Sequence, residues 1–182
     1  MLERRAVMTF LGLACVCGVA SAADPTAREV FDAYMTKMKT ANASSAAMQA
    51  WDFQGFMKDT FGEKFSKHTA AEQKQMIATM QKIIVDAMTS PQVVQALAKA
   101  EVKDVTEFKL AADRSVFCYT VELGEGKSVA NQTEFRRTGG QWRIVDSGTN
   151  GAMLSAQLRG QYANAASQMT LAQFVQAMGA EK

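Results

Sequence analysis

The sequence predicts an α+β domain, with helices packed on one face of a four-stranded antiparallel sheet. Apolar residues keep helical spacing up to about residue 100, then alternate every second position from Val105. Helical spacing returns after about residue 152. The strand-like runs are joined by short links suited to hairpins, and no internal repeat, low-complexity tract or interdomain linker interrupts the chain.

Residues 1–22 read as an export signal. Arg4 and Arg5 supply a positive start, residues 6–19 are mostly apolar, and Ala20-Ser21-Ala22 is a small-residue cleavage site. The apolar run falls short of the roughly 20 residues a membrane-spanning helix needs. Cys15 and Cys17 lack the flanking residues that lipoprotein processing wants, and Arg4-Arg5 fits a twin-arginine signal only loosely. Ordinary secretion leaves residues 23–182 as one domain, large enough to bury about 70% of its unfolded surface without a staple.

The first helix opens at Asp24-Pro25, with Thr26 and Glu29 spaced as a capping box, and runs to about residue 40. It carries Val30, Phe31, Tyr34 and Met38 on one side, and residues 41–47 read as a small-residue connector. Asp52 caps a short helix presenting Phe53, Phe56, Met57 and Phe61, and Gly62 stands where a C-terminal cap needs positive φ. Thr69 and Glu72 form a second capping box. The helix after it puts Met76, Ile77, Met80, Ile83, Ile84 and Ala87 on one face, largely opposite Gln73, Lys74, Gln75, Gln81 and Lys82. Ser90-Pro91 breaks that helix, and residues 92–100 resume it.

Strands are expected over 105–110, 115–123, 129–137 and 141–146. Phe117, Tyr119, Val121 and Leu123 share one face of the second; Val129, Asn131, Thr133 and Phe135 share a face of the third; Trp142 and Ile144 share a face of the fourth. Asp113-Arg114, Gly124-Glu125-Gly126 and Gly139-Gly140 make the links. Helices follow over 152–166 and, capped by Thr170, over 171–178.

Composition narrows the function. The formal charge is +2, and near +1 once a leader holding Glu3, Arg4 and Arg5 is removed, too balanced for a nucleic-acid footprint. Cys118 alone would survive cleavage, so no internal disulfide is expected, and its place in an apolar run reads as a buried small hydrophobe. His68, the one histidine, stands in a turn before Thr69, and no carboxylate cluster has ligand spacing, so no metal is expected. No Ser sits in a Gly-x-Ser-x-Gly elbow, and Gly124-Glu125-Gly126 precedes no helix that could hold phosphate. Asp146 and Glu134 have no paired acid or base in view, so the chain is not expected to be an enzyme or to carry a cofactor.

Two blocks carry a family resemblance. The first is Trp51-Asp52-Phe53, a short helix ending at Phe61-Gly62, Phe65 three residues on, then Thr69-x-x-Glu72-Gln73 opening an amphipathic helix. The second runs Thr133-Glu134-Phe135-Arg136-Arg137-Thr138-Gly139-Gly140-Gln141-Trp142-Arg143-Ile144-Val145-Asp146, followed by Gly151 and a helix with Leu158, Arg159, Gln161 and Tyr162. Together they resemble MlaC-type proteins, the toluene-tolerance family of periplasmic phospholipid-binding proteins. Phe135 stands where a Tyr is common, and Ser147-Gly148-Thr149-Asn150 replaces an apolar run.

The resemblance implies a curved, NTF2-like sheet wrapped by helices around an apolar pocket, and a periplasmic carrier of phospholipid; the sequence leaves a hopanoid or other membrane lipid open as cargo. It also implies partners: an outer-membrane donor or acceptor complex and an inner-membrane ABC transporter system. The ten methionines left after the leader suit a pocket for varied acyl chains, although methionine at helical spacing equally suits plain core. The expected lining comprises Phe56 and Met57, then Met76, Met80 and Ile84, then Phe117, Tyr119, Phe135 and Trp142 from the strands, then Met153 and Leu154. Arg143 and Arg159 are surface charges or contacts for a headgroup or partner. The alternative is a periplasmic interaction or assembly protein of the same fold, with a filled core and no ligand.

Overall fold

A computed structural model describes residues 24–40, 42–124 and 126–180. The export signal expected over 1–22 lies outside the described residues. Helices α1 (Ala27–Met38), α2 (Ala43–Ala50), α3 (Phe53–Phe61), α4 (Glu63–Ser66), α5 (Ala70–Met88) and α6 (Pro91–Lys99) precede the sheet. Strands β1 (Glu101–Ala111), β2 (Arg114–Gly124), β3 (Lys127–Thr138), β4 (Gln141–Thr149) and β5 (Ala152–Met153) follow, then α7 (Leu154–Ala165) and α8 (Leu171–Ala180).

Local chemistry explains most boundaries. Both capping boxes form: Thr26 with Glu29 opens α1, and Thr69 with Glu72 opens α5. Asp52 Oδ1 accepts the Gly55 amide at 2.8 Å to open α3, which ends at Gly62 with φ 55. Ser90 and Pro91 separate α5 from α6. The connector expected over 41–47 is instead mostly α2: its alanines are good helix formers, and Ala43, Ala46 and Ala47 are buried.

The sheet is antiparallel in the order β1-β2-β3-β4-β5, so it has five strands rather than the four expected. β4 runs on through Ser147, Gly148 and Thr149, and an Asn150-Gly151 turn with φ 51 and 79 folds β5 back on it. That dipeptide is a strong hairpin signal, because both residues tolerate positive φ. The chain therefore enters α7 two residues later than the expected helix start at 152.

Of the four register shifts in the sheet, two lie within the long strand pairings. In β1, Lys103 pairs with Thr120 but Thr106 with Cys118, and Asp104 takes φ 54. In β4, Ile144 pairs with Phe135 but Asp146 with Glu134, so Val145 is the extra residue. Past the bulge the inward positions change from even to odd numbers, which brings Ser147 opposite Thr133 and Thr149 opposite Asn131. Trp51 bridges to Ile144 just before the bulge, and the Asp52 amide donates to the Ile144 carbonyl at 2.8 Å.

The core lies between the inner sheet face and the helices. Phe31 of α1 stacks on Phe117 at 4.5 Å between ring centroids, and Phe135 meets both edge-on. Phe61, Tyr162 and Phe174 link α3, α7 and α8. Cys118 faces the other side of the sheet and is half-buried rather than buried. Leu123, on the inner face at the end of β2, is 38% exposed because the strand outruns the helices.

Candidate functional site

Towards the β2–β3 hairpin end of the sheet, the helices stand away from the strands and leave a cavity of about 420 Å³. Its floor is Tyr119 and Val121 of β2, Asn131 of β3, and Ser147, Gly148 and Thr149 of β4. One wall is Tyr34, Met35 and Met38 of α1 with Trp51; the other is Ile83, Ile84, Ala87 and Met88 of α5 with Val93 and Leu97 of α6. Ala152, Leu154 and Gln157 close the third side. Ala87, Thr149, Ala152 and Gln157 are exposed and mark the rim. No Asp, Glu, Lys, Arg or His lines this cavity, so a charged group would enter it without a counter-ion.

The polar groups on the floor satisfy one another. Tyr119 and Thr133 share a hydrogen bond of 3.1 Å, Thr133 and Ser147 one of 3.3 Å, and the Ser147 hydroxyl donates to the Gln132 carbonyl. Asn131 donates to the Val129 carbonyl. On the helix wall, the Tyr34 hydroxyl donates to Met88 Sδ at 3.9 Å, and Trp51 Nε1 is buried without an acceptor in hydrogen-bonding geometry. Burial raises the Tyr34 phenol's pKa and the Tyr119 phenol adds to that rise, while the nearby indole N–H opposes it. Tyr119 is raised for the same first reason, so both phenols stay neutral.

Of the residues expected to line a pocket, Ile84, Tyr119 and Leu154 lie on this cavity. Phe56, Met57, Met76, Met80, Phe117 and Phe135 come together in the close-packed half of the core, each 2% exposed or less. Trp142 is half-buried near the far end of β4, and Met153 pairs with Gly148 without reaching the lining. The aromatic cluster of Phe31, Phe117 and Phe135 fills the middle of the sheet, which moves the cavity towards the hairpin end.

Sequence reasoning missed the α1 wall, Trp51 and the α6 residues as lining. Tyr34 and Met38 did carry a signal, since they share α1's inward face. Val93 and Leu97 had one too, being apolar and one helical turn apart on the segment after Pro91.

The charged residues serve the framework. Arg143 donates to the Gln49 carbonyl at 2.6 Å, tying β4 to the last turn of α2. Asp146 is buried and accepts from the Ser155 hydroxyl at 2.5 Å and from the amides of Ser147 and Ser155, so it caps α7. Burial raises its pKa against those three hydrogen bonds. Arg159 lies in a polar cleft beside Asp146, with Arg114 and Arg136 around Glu134. His68, in the turn before Thr69, is part-covered and stands 3.5 Å from Glu72.

Comparison with known proteins agrees with this architecture. A phospholipid-binding protein from Ralstonia solanacearum, solved in complex with a phospholipid, superimposes with a TM-score of 0.68. The two share 19% identity over 88% of this chain and 98% of that one, a likeness of fold. No curated protein sequence matches the chain. The family model described as MlaC protein matches residues 28–180, from the first turn of α1 to the end of α8. The chain belongs to the MlaC family.

Proposed function

We propose that this chain is a periplasmic lipid carrier that holds phospholipid acyl chains in the cavity between its sheet and helices. The observation that carries the reading is the cavity itself: about 420 Å³, walled by methionine, isoleucine, valine and leucine, and free of charged lining. Ligand pockets commonly span about 300–1,000 Å³ with a mostly apolar lining and few polar groups. Each buried CH₂ contributes about 0.8 kcal/mol, so such a cavity can draw a lipid from a bilayer without covalent chemistry. The role is binding, not reaction. Family membership and the solved phospholipid complex of the same fold support the choice of ligand.

In this reading the leader directs export, and the carrier moves lipid between an outer-membrane complex and an inner-membrane ABC transporter system. Ile84, Tyr119 and Leu154 touch the ligand, as do Tyr34, Met38, Met88 and Leu97. Phe56, Met57, Met76, Met80, Phe117 and Phe135 shape the core beneath it. Mass spectrometry of organic extracts from the purified mature protein tests this. Phospholipid well above the level in a control protein is expected; extracts no richer than the control would favour the ligand-free interaction protein instead.

A further inference from the structure

Two hydrogen-bond donors on the cavity's helix wall have no well-formed hydrogen bond to an oxygen. Trp51 is 3% exposed, and its Nε1 is one of two buried side-chain polar atoms without a partner among the described residues. The other, Thr60 Oγ1, belongs to α3 and is not in the lining. The Tyr34 hydroxyl has only the Met88 thioether, a weak acceptor, at 3.9 Å. Trp51 and Tyr34 are close enough for the indole N–H to influence the phenol, so the two donors form one polar corner. A buried donor left unmade is costly and calls for an explanation.

Packing alone does not explain it. On the facing sheet the hydroxyls of Tyr119, Thr133 and Ser147 bond to one another and to the Gln132 carbonyl, whereas the donors of the helix wall have no such network. Trp51 is also held firmly in place, by its bridge to Ile144 and by stacking on Phe53 at 5.8 Å. Phenylalanine at both positions would fill the wall without stranding a donor.

We propose that Tyr34 and Trp51 form an acceptor-binding corner for the uncharged ester carbonyl that joins an acyl chain to its glycerol. This rests on the lipid-carrier reading and deepens it. The Tyr34 hydroxyl turns from the Met88 sulfur to the carbonyl oxygen, and the Trp51 N–H behind it donates to the Tyr34 oxygen and holds it in place. A free fatty acid's carboxylate is disfavoured, because no cation lines the cavity. An ether-linked lipid fills the same apolar volume but has no carbonyl, so it leaves the Tyr34 hydroxyl with only the Met88 thioether. The corner therefore selects ester over ether linkage.

Competition measures this directly. Delipidated mature protein is incubated with vesicles holding equal amounts of diester and diether phosphatidylethanolamine of the same chain length, and the bound lipids are quantified by mass spectrometry. Wild type is expected to take the diester about fivefold to tenfold in excess, the ratio one net hydrogen bond supplies. Tyr34→Phe and Trp51→Phe should each bring the ratio towards one while still binding lipid. Tyr34→Phe keeps the ring, so it reports even if the smaller residue at Trp51 disturbs the wall. Equal uptake by wild type, or an ester preference unchanged in both variants, would overturn the corner and leave the carrier reading standing. Uptake of neither lipid by wild type would overturn both.

Discussion

A Cβ placed on Gly148 would stand 2.4 Å from the Ala152 carbonyl oxygen. The β4–β5 hairpin therefore closes onto bare backbone at the cavity floor, and any side chain there must push the hairpin away. Gly148→Ala is expected to destabilise the protein by about 1–3 kcal/mol through this overpacking. Gly160, with open space around it on α7, is the control: Gly160→Ala should stabilise by about 0.5–1 kcal/mol. Urea denaturation of the two variants checks the contrast, and equal effects would count against the close approach.

Met80 and Met88 share α5 but have different surroundings. Met80 is 1% exposed within the closed core, whereas Met88 is half-buried on the cavity wall. In delipidated protein, Met80→Ala should cost about 2–5 kcal/mol, and Met80→Trp about 1–3 kcal/mol by overpacking. Met88→Ala should cost only about 1 kcal/mol, since part of its surface already faces a void. Denaturation midpoints that rank the two alanine variants the other way would misplace the boundary between core and cavity.

The contrast between these methionines also shows what a sequence can reveal. Capping at Thr26, Asp52, Thr69 and Ser90 depends on neighbours within three residues, so those helix starts were legible. The inward faces of α5 and β2 were legible from their periods. The cavity's position was not, because it depends on tertiary geometry: the Val145 bulge, the Trp51 bridge to Ile144 and the rings of Phe31, Phe117 and Phe135. Periodicity marks Met80 and Ile84 as facing inward alike. It does not say that aromatics fill the space beside one and not the other. The helix α2 was obscured by small residues, and β5 by the brevity of its pairing.

Asp146 gives a pH signature with a defined sign. Burial raises its folded-state pKa above the ordinary 3.8, so between the two values the native protein holds a proton that the unfolded chain has released. Its contribution is fully present below 3.8 and is lost as pH rises through the raised folded value. Glu29 and Glu72, lowered mainly by their hydrogen bonds to the backbone amides of the Thr caps, act in the opposite sense. Comparing wild type with Asp146→Asn isolates the one group. The stability of wild type relative to the variant should fall as pH rises across that window; parallel curves would contradict the burial.

The central claim is that lipid occupies this cavity, and native mass spectrometry of two tryptophan variants on α5 tests it most directly. Ala87 stands on the rim, and Ala78 lies nine residues earlier, exposed and outside the lining. An indole at 87 fills the opening, while the same change at 78 points to solvent on the opposite side of the helix. Protein purified with Ala87→Trp should be folded but largely lipid-free, and Ala78→Trp should retain as much bound lipid as wild type. Full lipid occupancy in folded Ala87→Trp protein would contradict the account.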